Sequence, residues 1–290
     1  MYKIAILGCE NSHANTFLNY IIKDKLYTDI EVVGVYSDDT EAAEKLSREY
    51  GVYAAKSFDE FAGKTDGILI TARHGANHYK YAKPYLGTGI PMFIDKPITI
   101  SEKEAVELKK ELIKNGVRVC GGSVLKYPDM IRELKKNVAE KTYGQCYGGL
   151  LRAPINMVND YGDFYFYSQH LVQAMCEIFG YYPNSVKAYV NQDVITCIVR
   201  YNEYDVTLVY VDGNNHYYAG INCEKNAGFS EFKLDGCFER EFETFYGLLK
   251  GGEQPESYDD FIAPVFILNA IDRSIKSGKE EKITRQEAIV

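Results

Sequence analysis

The sequence predicts an α/β protein: a doubly wound parallel sheet in its N-terminal part, then an α+β domain on an open, mainly antiparallel sheet. Three observations carry this. Short apolar runs alternate with amphipathic helical stretches up to residue 122, the beat of consecutive βαβ units. Beyond residue 140 the pattern changes to short strand-like runs broken by Gly, Asn and Asp, which reads as a meander. The length, 290 residues, is enough for two cores of ordinary size, which divides the chain into domains 1–122 and 123–290.

Taken in order, residues 2–7 are apolar, stop at Gly8, and give way to helical spacing at Phe17, Leu18, Ile21 and Ile22. Residues 30–36 form a second strand and 40–50 a helix with a Glu- and Lys-rich outer face. Strands at 67–71, 91–94 and 117–120 alternate with helices at 77–86 and 101–114. A helix over 129–139 leads into strands at 147–151, 185–190, 194–201, 206–211, 216–222 and 229–234, and a helix over 258–277 closes the chain. Aromatic side chains on the free face of such a sheet gain by burial, so Tyr210, Tyr217 and Phe229 are candidates for a homodimer or higher homo-oligomer contact.

Composition narrows the partners. A net charge of -8 with dispersed Lys and Arg leaves no footprint for nucleic acid or an anionic membrane, which favours a small-molecule partner. The first apolar run is too short for a signal-peptide core, and no later run reaches membrane-spanning length, so a cytoplasmic protein is expected. Seven cysteines, odd in number and without a CxxC pair, read as reduced thiols.

The stretch richest in chemistry is residues 90–98, an apolar run ending in Asp95-Lys96-Pro97. As a parallel strand it delivers Asp95 and Lys96 to the carboxyl end of the sheet, where open α/β folds bind ligands. Lysine there is cationic and tunable by burial, so it can hold a substrate hydroxyl and move its proton. Taken alone, the pair reads more readily as a surface ion pair closing a strand.

The first turn, Gly8-Cys9-Glu10-Asn11-Ser12-His13, is the place for a phosphate cradle. Only the first glycine of Gly-x-Gly-x-x-Gly is present, and a carboxylate at Glu10 repels a diphosphate unless it turns away. Asn11 and Ser12 lie beside it; Ser12 can cap the helix, and His13 can either donate to a phosphate or pack in the first turn. Ser37 falls where an adenosine ribose is expected, with Asp38 behind it; Asp38 tips the choice between NAD and NADP toward NAD. Thr71, His74 and His78 end the third strand and open the next helix. His74 and His78 are four apart and could join Cys9, Glu10 or His13 around a metal, but such histidines are more often turn residues, and no metal is assigned.

With these residues in view the chain resembles the Gfo/Idh/MocA family of NAD(P)-dependent oxidoreductases. The resemblance rests on Asp95-Lys96-Pro97 for that family's Glu-Lys-Pro, on Thr71 to His78 for its Thr-Pro-Asn…His turn, and on Gly121-Gly122…Lys126-Tyr127-Pro128; it extends to Phe245–Gly251 and the closing helix. It implies a Rossmann domain binding NAD or NADP, with Gly8, Asn11, Ser12, His13, Ser37, Asp38, Thr71, His74, His78 and Lys96 toward the cofactor. It also implies a second domain for substrate and hydride transfer with a sugar, cyclitol or related polyol. Lys96 takes the family lysine's role, Asp95 the acid's, and Pro97 that of a proline often cis. The family's Asp-x-Gly-x-His-x-x-Asp helix aligns with residues 166–173, so His170 matches while Phe166 and Gln173 replace both aspartates. Asp163, two turns earlier, is the candidate to orient His170 instead. Arg152 and Asn156 are candidate substrate contacts. The alternative is a catalytically degenerate ligand-binding or regulatory member of the same fold, motivated by Glu10, His13, Phe166 and Gln173.

Overall fold

The computed structural model describes residues 1–284. In chain order the elements are β1 Tyr2–Leu7, α1 Ser12–Leu18, β2 Ile30–Tyr36, α2 Thr40–Tyr50, β3 Gly67–Ile70, α3 Ala76–Leu86, β4 Met92–Asp95, α4 Glu102–Asn115 and β5 Val119–Gly122. They continue with α5 Asp129–Ala139, β6 Cys146–Ile155, α6 Phe164–Phe179, β7 Ser185–Asn191, β8 Val194–Arg200, β9 Asp205–Asp212, β10 Tyr217–Cys223, β11 Ala227–Phe232, α7 Cys237–Leu249, α8 Tyr258–Ser277 and β12 Glu281–Lys282. A π-helical turn, Asn19–Lys23, extends α1, and a 3-10 turn covers Val124–Lys126.

The chain forms two compact units. The first comprises Met1–Thr99, Lys103–Gly122 and Phe238–Phe261; the second comprises Ile100–Glu102, Ser123–Cys237 and the described residues from Ile262 on. The sequence reading gave all of 123–290 to the second unit, whereas 238–261 packs with the first. The physical reason is α7, whose Phe242, Phe245 and Leu248 are buried in the same cluster as Ile4, Ile6, Phe17 and Phe93.

In the first unit β2-β1-β3-β4-β5 form a five-stranded sheet, all parallel. β3, β4 and β5 are buried at every position, which is why each reads as a continuous apolar run instead of alternating. Asp39 caps α2 by accepting from the Ala42 amide at 3.1 Å, and Gly51, at φ +70°, ends it. Two glycines are obligatory for the sheet's carboxyl end. Gly8 has φ +78°, and a Cβ on it would lie 2.3 Å from Ala72 Cα; one on Gly121, at φ +124°, would lie 2.0 Å from Ile94 O.

The second unit holds a seven-stranded sheet, ordered β11-β10-β6-β9-β8-β7-β12. It is antiparallel except for β6 against β9. The inner face, with Leu151, Ala153, Val206, Leu208 and Tyr210, is buried, and Tyr210 Oη donates to Ser168 O of α6 at 3.1 Å. This corrects the sequence reading of Tyr210 as a free-face aromatic. Tyr217 corrects the same way: it shares its parity with the buried Ala219 and Ile221 and hydrogen-bonds to Tyr167 of α6. Phe229 is on the outer face, 52% exposed, its ring stacked 5.3 Å from that of Tyr218. All seven cysteines are buried thiols outside any disulfide. No helix among the described residues is long and apolar enough to cross a membrane.

Candidate functional site

In the first unit the chemistry gathers where β4 ends. The Asp95 side chain is fully buried and takes three neighbours: the Asn11 amide nitrogen at 2.9 Å, His13 Nδ1 at 2.8 Å, and the Lys96 backbone N–H at 2.7 Å. His13 Nε2 lies 3.6 Å from Glu241 of α7, so the imidazole sits between two buried carboxylates. The His13 contacts are charge to charge, without the alignment of a good hydrogen bond. Burial pulls the His13 pKa down, but the Asp95 charge and contact, with Glu241 behind them, outweigh it and the net direction is up. Burial pushes the Asp95 carboxyl up, but His13, then Lys96 and His78, bring it below the ordinary carboxylate value. Both shifts favour the ionised form, Asp95 as a carboxylate and His13 as an imidazolium.

Lys96 is 4% exposed. Burial lowers its pKa; Asp95 opposes, Arg73 adds to the lowering, Glu241 opposes, and the net is down. An ammonium held in this way gives up its proton more readily than a surface lysine, which is what a proton carrier at a hydroxyl needs. The Lys96-Pro97 peptide is cis.

The other residues of the first turn and its neighbours divide into two groups. Several are taken up by the fold. His13 is 5% exposed and points at Asp95 and Glu241, which corrects its reading as a phosphate donor. Asn11, at the N-cap of α1, makes no capping bond, and its side-chain nitrogen donates to Asp95. His78 has no exposed surface, and its ring nitrogens meet Pro97 O at 2.6 Å and Ala72 O at 2.8 Å; it clamps the β3 loop to the segment after Lys96 and is not open to a cofactor. Burial lowers its pKa. Thr71 Oγ1, also buried, donates to Gly8 O at 3.1 Å. His74 Nδ1 accepts the Ala76 amide at 3.2 Å, the turn role weighed for it.

The second group keeps some exposure. Ser12 is the first residue of α1 and is exposed, so it does not cap the helix as expected. Glu10 is partly exposed, and its carboxylate is held sideways: Ser37 Oγ donates to it at 2.6 Å and the Arg73 backbone N–H at 2.9 Å. Asp38 is exposed and accepts from Tyr36 Oη at 2.5 Å, with Lys80 at 3.4 Å. Burial raises the Asp38 pKa, but the hydrogen bonds of Tyr36 and Tyr81 and the Lys80 charge bring it down. Among the described residues no group of three or more His, Cys, Asp or Glu is arranged to hold a metal.

In the second unit His170 is buried on α6. Its Nδ1 is 2.6 Å from Ser123 Oγ, and the Tyr167 ring stands edge-on at 4.8 Å. Ser123 is the orienting group sequence reasoning missed; a lone serine carries no pattern. Asp163, the expected partner, starts α6 with φ +50° and accepts from the Asn159 amide instead. Gln173 donates to Tyr181 Oη at 3.1 Å. Arg152 lies in β6 on the outer face, opposite in register to Tyr218, with its guanidinium donating to His216 O. The helix that carries His170 packs on the other face, so Arg152 is corrected as a substrate contact. Asn156 is exposed, in the loop before α6.

The chain is similar to several known proteins. Residues 2–123 match the family model described as an oxidoreductase family with an NAD-binding Rossmann fold. Glucose-6-phosphate 3-dehydrogenase of Bacillus subtilis (strain 168) is 26% identical over 147 residues, which is 50% of this chain and only 40% of that protein's length. The crystal structure of apo scyllo-inositol dehydrogenase from Lactobacillus casei is similar with TM-score 0.84 and 13% identity over 98% of each chain. That of GenD2 from gentamicin A biosynthesis, in complex with NAD, is similar with TM-score 0.83 and 12% identity, covering 98% of this chain and 96% of that one. These two likenesses extend the shared fold across both units. The family match spans residues 2–123, less than half of the chain, and within that stretch, which includes the strand end bearing Asp95 and Lys96, the chain is similar to the Gfo/Idh/MocA oxidoreductase family.

Proposed function

We propose that the protein is an NAD(H)-dependent dehydrogenase or reductase acting on a hydroxyl or carbonyl carbon of a sugar, cyclitol or related polyol. The observation that carries this is Lys96: a buried lysine at the carboxyl end of a central parallel strand, its pKa lowered, beside an ionised Asp95. The similar proteins support the substrate class, since they include a glucose-6-phosphate 3-dehydrogenase and a scyllo-inositol dehydrogenase.

The donor set suits an unphosphorylated dinucleotide. Gly8 keeps the turn after β1 free of a side chain, Ser12 offers an exposed hydroxyl, and Glu10 is turned aside by Ser37 and Arg73. The carboxylates of Glu10 and Asp38 near the end of β2 suit a ribose diol and repel a 2′-phosphate, which selects NAD over NADP. The bound nicotinamide supplies the hydride acceptor or donor. Lys96 holds the substrate oxygen and carries its proton, and Asp95 keeps that ammonium within reach of a charged partner. His170 and Asn156 are assigned to substrate oxygen atoms.

Titration of the purified protein with NADH and NADPH, followed by nicotinamide fluorescence, tests the cofactor half. NADH binding in the micromolar range with NADPH weaker is expected; binding of neither favours a degenerate ligand-binding protein on the same fold, the reading to which Glu10 in place of glycine points. Turnover on a panel of inositols and aldoses with NAD tests the rest, and no activity across the panel overturns the substrate class. We also propose a cytoplasmic homodimer built on the outer face of the second sheet, where Tyr189 and Phe229 stand 56% and 52% exposed.

A further inference from the structure

Ser123 opens the 3-10 turn that follows β5, and its side chain is wholly buried. Its hydroxyl has two neighbours. It accepts the Leu125 backbone N–H at 3.1 Å, and it lies 2.6 Å from His170 Nδ1. A hydroxyl carries one hydrogen, and among the described residues Nδ1 is the acceptor within its reach. If Nδ1 carried a proton, Ser123 would receive two N–H groups and its own hydrogen would be stranded out of water. With Nδ1 as acceptor the hydroxyl hydrogen has a place and the Leu125 N–H keeps its acceptor.

We infer that Ser123 is a positioning residue that fixes neutral His170 as the Nε2–H tautomer, so that the ring presents a donor and not a base. An acid at Ser123 would do the opposite: it would accept Nδ1–H and leave Nε2 as a lone pair able to take a substrate proton. A donor at Nε2 suits a ligand oxygen with no hydrogen to give, a carbonyl or a developing alkoxide. A neutral imidazole keeps its own proton while doing this. The tautomer stands on the geometry of the second unit alone. Its catalytic meaning rests on the proposed dehydrogenase reading, in which the proton then passes through Lys96 and His170 only stabilises charge on oxygen.

The test is histidine-selective 15N labelling of the full chain and a two-bond 1H–15N correlation at neutral pH, with His170→Gln used to locate the resonances. The expected pattern for His170 is a protonated Nε2 and an unprotonated Nδ1, in at least about tenfold excess. A protonated Nδ1 in the wild type overturns the inference, and this measurement needs no variant to fold. Ser123→Thr, which keeps the hydroxyl, should preserve the pattern, and Ser123→Asp should move the proton to Nδ1; an unchanged pattern in Ser123→Asp also overturns it. In alcohol oxidation Ser123→Asp should add an ionisation near neutrality to the pH profile of kcat/KM. If the tautomer is as expected while no cofactor supports turnover, the dehydrogenase reading fails and the tautomer assignment stands.

Discussion

His13 Nδ1 stands 2.8 Å from Asp95 Oδ2, joining the turn after β1 to the end of β4 by a charge contact that solvent scarcely reaches. The contact explains why a histidine occupies the turn position that is the third glycine of Gly-x-Gly-x-x-Gly. An imidazolium held between Asp95 and Glu241 ties three segments of the first unit together, and Asn11 completes the set around the same carboxylate.

Removing one partner of that set should be costly, because the other is left buried and unpaired. Asp95→Leu is expected to destabilise the fold by about 3–5 kcal/mol, read from urea denaturation. The pH dependence separates His13 from its neighbours. Its folded pKa is raised, so its contribution is fully present below the unfolded value of about 6.5 and is lost as pH rises through the folded value. The stability gap between the wild type and His13→Gln should therefore shrink from pH 6 toward pH 9. Asp95, whose pKa is lowered, loses its contribution only in acid, below about pH 4.

Lys96→Met should behave differently. A buried ammonium whose pKa is already lowered adds little to stability, and a methionine of similar length fills the space, so the urea midpoint should move little. Turnover should fall by about 10²–10⁴, the usual worth of a positioned proton carrier. Steady-state kinetics on the best polyol substrate checks this, and full retention of kcat/KM removes Lys96 from the mechanism.

Much of the first unit was legible because its strands are buried on both faces and so stand out as apolar runs, with Asp95 and Lys96 at the end of one of them. The direction of side chains was not. Nothing in the spacing of Gly8 to His13 says that Asn11 and His13 turn inward to Asp95, or that Glu10 turns toward Ser37. Strand period likewise defines two faces without saying which one a helix covers, so Tyr210 and Tyr217 were assigned to the wrong side. α7 could not be placed because its partners Phe17 and Phe93 are more than a hundred residues away in the chain.

Gly8 carries a double constraint. A side chain there meets both a left-handed backbone and the Ala72 main chain, which cannot give way as a flexible side chain would. Gly8→Ala is expected to cost about 2 kcal/mol or more, and thermal unfolding reads it. Gly51, at φ +70° with open space around it, should cost less on the same substitution.

Glu10 should set cofactor choice through its charge. Glu10→Gln keeps the shape and the bond to Ser37 but removes a negative charge near the end of β2. One like-charge repulsion at this range is worth on the order of 1 kcal/mol or more, so NADPH should gain about tenfold relative to NADH. Paired fluorescence titrations measure the ratio; no change places the discrimination at Asp38.

The outer face of the second sheet presents Tyr189, Tyr218 and Phe229, and Arg152 lies against the Tyr218 ring, 5.8 Å from its centroid. Exposed rings beside an arginine have the composition of an interface centre, where one substitution can remove much of the binding energy. Phe229→Lys places a charge there, and in a two-fold dimer it does so twice. Light scattering at micromolar concentration should then show the chain mass for the variant and twice that value for the wild type if the proposed dimer forms there. The urea midpoint of the isolated chain should scarcely move, because Phe229 lies on the surface of its own unit.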